Sequence, residues 1–519
     1  MASAVSRVTG FVRVIVVAAA LGTTFLANTY QTANSIPNVV FELLAAGVLT
    51  SVFVPTFVEH LVRGKKDEGW DTANVLGSVA LTALVGLSVL VALLAPLLMR
   101  ALTLSVDDAA LRTQEIELGS EFLRLFAPQL VFYGAGMIMT AALHAHGRFG
   151  MAAAAPIFNN IVVTAVYVVY AVMRGEREPT VAGITTGEIV VLGAGTTLGV
   201  IAMTLCLVPQ LRSLGWRARW RFEPGHPAIG NALRLGAWAL GYAGGYQAGL
   251  VLVLVLANGL RGGVAAYQWA YTFFYVPHAL FGVPLFHVLF PAMSGDVARG
   301  EEERFERRLR EGLGMLAFIL IPVSAALIVN GEPIARLTLE YGVMSRAGTT
   351  LVGRVLGAFA LGLPTYSAFL ALTRAYYARG NTRTPALVNA GAVITAAAVG
   401  AALFFSAPAG WEVAGLAVGH SVGFALGAGL LAHALRRDRG AERSTRLTPV
   451  VARALGGAAV ASAVMVAVHG LIPEASKTTL LVNVVATLAI GAATYLALMM
   501  RSSSQEMMRL RALLLRPRT

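Results

Sequence analysis

Tyr133-Gly-Ala-Gly-Met-Ile-Met-Thr-Ala-Ala-Leu-His-Ala-His-Gly147 returns without a gap as Tyr366-Ser-Ala-Phe-Leu-Ala-Leu-Thr-Arg-Ala-Tyr-Tyr-Ala-Arg-Gly380. The copies coincide at Tyr133/Tyr366, Thr140/Thr373, Ala142/Ala375, Ala145/Ala378 and Gly147/Gly380. A second pair has a similar offset: Ile36-Pro37-Asn38 with Val276-Pro277-His278, and Val54-Pro55 with Phe290-Pro291. Tyr30-Gln31 upstream matches Tyr267-Gln268. Every one of these pieces lies in or beside an apolar run long enough to cross a bilayer core, about 20 residues.

Composition agrees with a membrane chain. Of 519 residues, 57% are hydrophobic and 13% charged, against about 25% charged in soluble proteins. The mean hydropathy is +0.70. So little charge cannot coat a soluble body of this size, which excludes an ordinary soluble enzyme and a disordered chain. A single cysteine, Cys206, excludes a disulfide scaffold. Lys65, Lys66 and Lys477 are the only lysines, and the abundance of Arg, Ala, Gly and Val suggests a GC-rich bacterial genome.

Fourteen spans are read, at about 6–27, 33–59, 73–99, 121–146, 151–173, 187–209, 228–257, 264–293, 312–331, 350–378, 384–406, 411–435, 450–472 and 478–500. Alternate loops are rich in arginine, from Arg63-Lys65-Lys66 and Arg148 through Arg212–Arg221 and Arg299–Arg310 to Arg436–Arg446 and the tail. The intervening loops are not, and Asp107, Asp108, Glu115 and Glu117 fall in the loop after the third span. Loops rich in Lys/Arg stay cytoplasmic, which puts both termini inside and explains the net charge of +13 without a nucleic-acid partner. The basic, apolar N-terminus resembles a signal peptide, but thirteen spans follow it and a retained anchor is the better reading.

Span two maps to eight and four to ten, a shift of six. An even shift keeps orientation, so the repeat is parallel, about an axis along the membrane normal. The expected fold is all-α and polytopic: an N-lobe over 1–222, a C-lobe over 223–440, and helices thirteen and fourteen with a basic tail over 441–519. Two lobes in repeat imply a transporter with its site between them. Gly10, Pro37, Pro55, Pro277 and Pro291 are read as hinges, since proline frees a carbonyl and lets a helix bend.

Nothing points to catalysis, a cofactor or a metal. No phosphate-cradling Gly-x-x-x-x-Gly-Lys-Ser/Thr occurs, and His144 and His146, two apart, face different ways. Charged groups in apolar spans carry more information. Arg7 reads as a flank charge or a cavity cation. Arg13, about 9 Å deeper along the helix, reads as snorkelling or as facing a cavity or an anion. Glu42 reads as an ion-pair partner or a cation ligand. Tyr267, Gln268, Tyr271, Thr272, Tyr275 and His278 on span eight read as a cavity lining or an interfacial belt. Asn159, Asn160 and His420 read as helix–helix contacts.

Ser6-Arg7-Val8-Thr9-Gly10-Phe11-Val12-Arg13 resembles the S-R-x-x-G-F-x-R opening of the MurJ/MviN family of lipid II flippases. Ile36-Pro37-Asn38, Phe53-Val54-Pro55, Val276-Pro277 through Phe290-Pro291, Gly331-Glu332-Pro333-Ile334 with Tyr341-Gly342, and Tyr377 through Pro385 continue the likeness in order. The resemblance implies the fold of the multidrug/oligosaccharidyl-lipid/polysaccharide exporter superfamily in a bacterial cytoplasmic membrane. It implies export of an undecaprenyl-diphosphate-linked muropeptide (lipid II) by alternating access, with cell-wall synthesis proteins as candidate partners and a monomeric protein. Arg7 and Arg13 would hold the diphosphate, since guanidinium is planar and always charged. Asn28, Asn38, Glu42, Gln268, Thr272, Tyr275 and His278 would complete the site, and the last two helices would take the lipid tail. This chain departs from the family where Val14 and Asn28 replace acids, Phe41 and Thr272 replace arginines, and Tyr275 replaces an acid. Two other readings stay open: a drug or metabolite antiporter of the same superfamily, and a non-transporting scaffold for wall synthesis.

The topology is directly testable. Cysteines at Asp107, Arg177 and Ala409 should react with an impermeant thiol reagent from outside the cell, and cysteines at Lys65, Arg219 and Arg439 should not. One reversed loop would overturn the fourteen-span reading.

Overall fold

The computed structural model describes residues 2–44, 66–217, 219–225, 244–437 and 448–501. Pro55 and the basic residues Lys65 and Arg439 lie outside the described residues. Helix occupies the described part of each of the fourteen expected spans, and no strand occurs among the described residues. The chain is an all-α polytopic membrane protein.

Ten helices are long and apolar enough to cross a membrane alone, and Arg346–Leu361 with Leu363–Ala378, bent by 46°, makes an eleventh. The other three spans are Ala2–Leu21, Phe25–Leu44 and Gly244–Asn258. The first two carry Arg7, Arg13, Asn28, Gln31, Asn34, Asn38 and Glu42. In the eighth span Gly263–Pro277 is followed by one π turn, His278–Gly282, before Val283–Ala298 resumes. The helices Ala2–Leu21, Phe25–Leu44 and Val283–Ala298 run unbroken through Gly10, Pro37 and Pro291.

Two boundaries move. The first helix ends at Leu21 because Gly22 turns with φ +58°, where a Cβ would stand 2.9 Å from the Val343 carbonyl oxygen. Asn28, expected near the end of helix one, therefore stands on helix two. Glu115, expected in a loop, is fully buried in the helix Ala109–Phe126, which is capped at its start by Asp108.

The chain divides into two compact units, Met1–Ala265 with Tyr341–Ser345, and Ala266–Glu340 with Arg346–Thr519. In the first unit, Tyr30 anchors the core. Its hydroxyl meets Tyr167 at 3.0 Å and Thr196 at 2.6 Å, and its ring stands edge-on to Phe122 and Phe126. This unit extends past the repeat boundary expected at 222 and takes in Gly244–Asn258, because Asn258 binds the Leu102 carbonyl and accepts from Thr32.

In the second unit, the 38-residue helix Glu302–Leu339 forms the spine. The hairpin Thr448–Leu471 and Lys477–Arg501 lies along it, with the Tyr495 hydroxyl donating to the Phe318 carbonyl at 2.8 Å. At the other end, buried Arg336 pairs with Glu474 and Glu340, while Lys477 donates to the Arg336 carbonyl. Breaking a buried pair strands one charge. Arg336→Ala should therefore destabilise the hairpin by about 2–3 kcal/mol, read as faster proteolysis between 437 and 501. The paired change Arg336→Met with Glu474→Leu should recover most of that loss. A double variant as labile as the single one would remove the ion pair as the clamp.

Candidate substrate-binding site

The site in the first unit begins with the polar stripe of the first two helices. Asn160 fixes the first helix by donating to the Ser6 carbonyl at 3.2 Å and to the Thr9 hydroxyl at 3.1 Å, with Gly10 packed directly against it. Of the three sequence-read contact residues, Asn160 is satisfied across helices. The Asn159 side-chain oxygen and both His420 ring nitrogens have no hydrogen-bond partner among the described residues.

From that fixed helix the half-buried Arg13 acts electrostatically on the hydroxyls of Tyr30, Tyr133 and Tyr167. The Asn38 side chain lies close to the Tyr133 hydroxyl, and its own amide is anchored on the Asn34 carbonyl at 2.8 Å. Phe41 packs its ring on Tyr133 at 5.2 Å. Tyr30 and Tyr167 are sealed in the core, whereas Tyr133 is only half-buried. Arg13, Asn38 and Tyr133 thus form one accessible cluster: a permanent cation beside a neutral phenol and an amide. Such a set donates hydrogen bonds to an anion's oxygens.

The other residues expected here behave differently. Arg7 and Glu42 are exposed, and no salt bridge joins Arg13 to Glu42 among the described residues. The structural ion pair that the sequence left open is therefore absent. Asn28, read as cavity lining, is 0% exposed. Its amide donates to the Leu260 carbonyl at 2.8 Å, and its oxygen accepts from the backbone of Val264 at 3.1 Å and Ala265 at 3.4 Å. A carboxylate could accept but not donate, so asparagine suits this three-way tie. The tie stitches one end of the unit, where Val343 also donates to the Ala19 carbonyl at 3.0 Å.

In the second unit the eighth-span residues surround an aromatic cluster. His420 is enclosed by Tyr271, Phe274, Phe359, Tyr366 and Phe424. His278, read as cavity lining, is instead buried at the π turn with Nδ1 bonded to the Ser367 hydroxyl at 2.9 Å. Thr272 donates to the Gln268 carbonyl at 3.0 Å, and both are half-buried. Tyr275 is 40% exposed and is the most accessible of the group.

Sequence reasoning missed Tyr30, Tyr133 and Tyr167 as the setting of Arg13. Tyr133 carried a signal, since it opens the internal repeat. Among the described residues no cluster of potential metal ligands is found.

Three comparisons address the whole chain. The family model described as lipid II flippase MurJ matches residues 17–502. A Rhizobium tropici protein named "Probable lipid II flippase MurJ" is 28% identical over 402 residues, covering 77% of this chain and 73% of that protein. A Burkholderia cenocepacia protein named "Lipid II flippase MurJ" is 24% identical over 394 residues, covering 75% and 74%. A solved structure titled as lipid II flippase MurJ in an inward closed conformation matches with TM-score 0.79 at 18% identity, over 99% of both chains. An inward-facing multidrug transporter of the MATE family matches with TM-score 0.66 at 13% identity, over 85% of this chain and 96% of that one. With the family model spanning nearly the entire sequence, and the fold shared from end to end, this chain belongs to the MurJ family.

Proposed function

We propose that this protein flips lipid II, the undecaprenyl-diphosphate-linked peptidoglycan precursor, from the inner to the outer leaflet by alternating access. The observation that carries the reading is Arg13: a guanidinium midway along the first helix, with no ion-pair partner among the described residues, set beside Tyr133 and Asn38. A charge at that depth is expensive unless it meets water or an anion. A diphosphate supplies the anion and matches the planar fork. Arg7, nearer the helix end, adds a second cation along the same approach. The protein works as a transporter rather than a catalyst, in a bacterial cytoplasmic membrane with both termini inside. Transport draws on a gradient or on the membrane potential.

The docked hairpin Thr448–Leu471 and Lys477–Arg501 supports a lipid cargo over a soluble one. It adds apolar surface along Glu302–Leu339 that a twelve-helix antiporter does without. Truncation at about residue 445 should leave an abundant, folded membrane protein that no longer supports growth as the only copy. Normal growth on the truncated chain would remove the lipid-tail role of the hairpin.

The Arg13 series tests headgroup binding. Arg13→Ala should abolish appearance of newly made lipid II in the outer leaflet, labelled in whole cells, with protein abundance unchanged. Arg13→Lys should fail largely as well, because an ammonium lacks the bidentate fork. A charge-assisted hydrogen bond contributes about 1.5–3 kcal/mol, so headgroup affinity should fall roughly tenfold to several hundredfold. Adding Glu42→Gln to Arg13→Ala should restore nothing, since the two residues are not paired. Full activity of Arg13→Ala would refute the assignment.

A further inference from the structure

Glu115 is a carboxyl that the site described above does not use. It is 0% exposed in the middle of the helix Ala109–Phe126, and neither oxygen meets the geometry of a hydrogen bond to any described group. Buried ionised carboxylates are stable only when paired or richly hydrogen-bonded.

Among the described residues its surroundings offer no such pairing. The helices packed on Ala109–Phe126 are Phe25–Leu44, Lys66–Leu93, Ala95–Leu102 and Thr186–Leu205. On Phe25–Leu44, the Tyr30 hydroxyl is taken by Tyr167 and Thr196, and exposed Glu42 lies thirteen residues beyond Thr29, about 20 Å along the helix. On the others, Asp71 pairs with Arg221, Glu188 pairs with Arg177, and Arg100 lines an external cavity. On its own helix Arg112, Glu117, Glu121 and Arg124 all line that same cavity. No charge among these acts on Glu115.

The Thr29 hydroxyl, on the packed helix Phe25–Leu44, lies close to the carboxyl. That hydroxyl spends its proton on the Phe25 carbonyl at 2.9 Å, so it has only lone pairs left. A hydrogen bond between the two then requires Glu115 to be the donor, which only the acid form can do. Thr29 adjoins Asn28, whose amide ties Leu260, Val264 and Ala265, and lies three residues before Thr32, which donates to Asn258. On its own helix Thr113, Ile116 and Ser120 line a cavity of about 730 Å³ whose exposed rim includes Asp107 and Glu117.

We propose that Glu115 is a proton-binding site: its acid form bonds Thr29 and holds the Asn28 tie closed, and its ionised form opens that tie. On release, the O–H bond breaks, the carboxylate keeps the electron pair, and the proton passes to water in the cavity. Resting on the flippase reading, this makes the proton the ion whose gradient can drive the cycle.

Val264 is 1% exposed beside the tie and reports its opening. The full-length protein with Cys206→Ser and Val264→Cys is purified and reacted with an impermeant maleimide between pH 6 and pH 9. Dividing each rate by that of the same protein carrying E115Q cancels the thiol's own titration. The ratio should be near one at pH 6 and rise to about tenfold or more by pH 9, since linkage allows up to tenfold per pH unit. A flat ratio overturns the proposal. Infrared spectra give the second arm: a carbonyl band of a dry carboxylic acid should be present at pH 6, fade by pH 9, and be missing in E115Q. Its absence from the parent also overturns the proposal, and Glu115→Leu serves as the neutral variant if E115Q does not fold. Neither arm needs a substrate. A rising ratio and a titrating band in a protein that moves no lipid II would sink the flippase reading and leave the proton site standing.

Discussion

Inside a bilayer a polar group has no water to turn to, and every other feature of this chain follows from that constraint. Helices satisfy their own backbone, so the described part of every span is helical. Side-chain polar groups must then find partners on neighbouring helices, and most do. Tyr30 meets Tyr167 and Thr196, Thr197 meets the Leu125 carbonyl, Thr204 meets the Phe132 carbonyl, and Ser421 meets the Ala358 carbonyl. These bonds set helix against helix where apolar packing alone would let them slide. Against that background, Glu115 and His420 stand among the buried groups whose polar side-chain atoms have no hydrogen-bond partner among the described residues.

The spans were legible in the sequence because crossing a bilayer demands a fixed length of apolar residues, and that demand is local. Where the helices end was less legible, because turns are decided by distant neighbours. Gly22 turns against Val343, more than three hundred residues away, so nothing near residue 22 announced that Asn28 belongs to the second helix. Glu115 was misplaced for a related reason. Asp107, Asp108, Glu115 and Glu117 look like one acidic loop, yet Asp108 caps a helix and the next acid seven residues on turns inward.

The site was legible in part. Arg13 stood out because a guanidinium in an apolar run is costly and sequence alone exposes that cost. Its phenol neighbours did not stand out, since Tyr30, Tyr133 and Tyr167 come from three different helices and look like ordinary core or interfacial rings. Asn28 and His278 were read as cavity lining from their polarity. The structure buries both, because an amide or an imidazole can be spent on backbone or on a serine as readily as on a substrate.

The family arginines missing from this chain take on a physical meaning around Tyr133. At the second-helix position Phe41 carries no charge and packs its ring against Tyr133, while Asn38, three residues earlier, lies close to the Tyr133 hydroxyl. On the proposed reading a phenol would stand in for one cation. A phenol donates a hydrogen bond to a phosphate oxygen without adding positive charge, so the headgroup would be held by fewer charges and more neutral donors. In a low-dielectric setting that exchange matters for release as much as for binding. A diphosphate clamped by several guanidiniums leaves slowly, because each broken contact strands a buried charge. On the proposed reading, a site of Arg13 and Arg7 with neutral partners would strand fewer charges and let go with less to overcome.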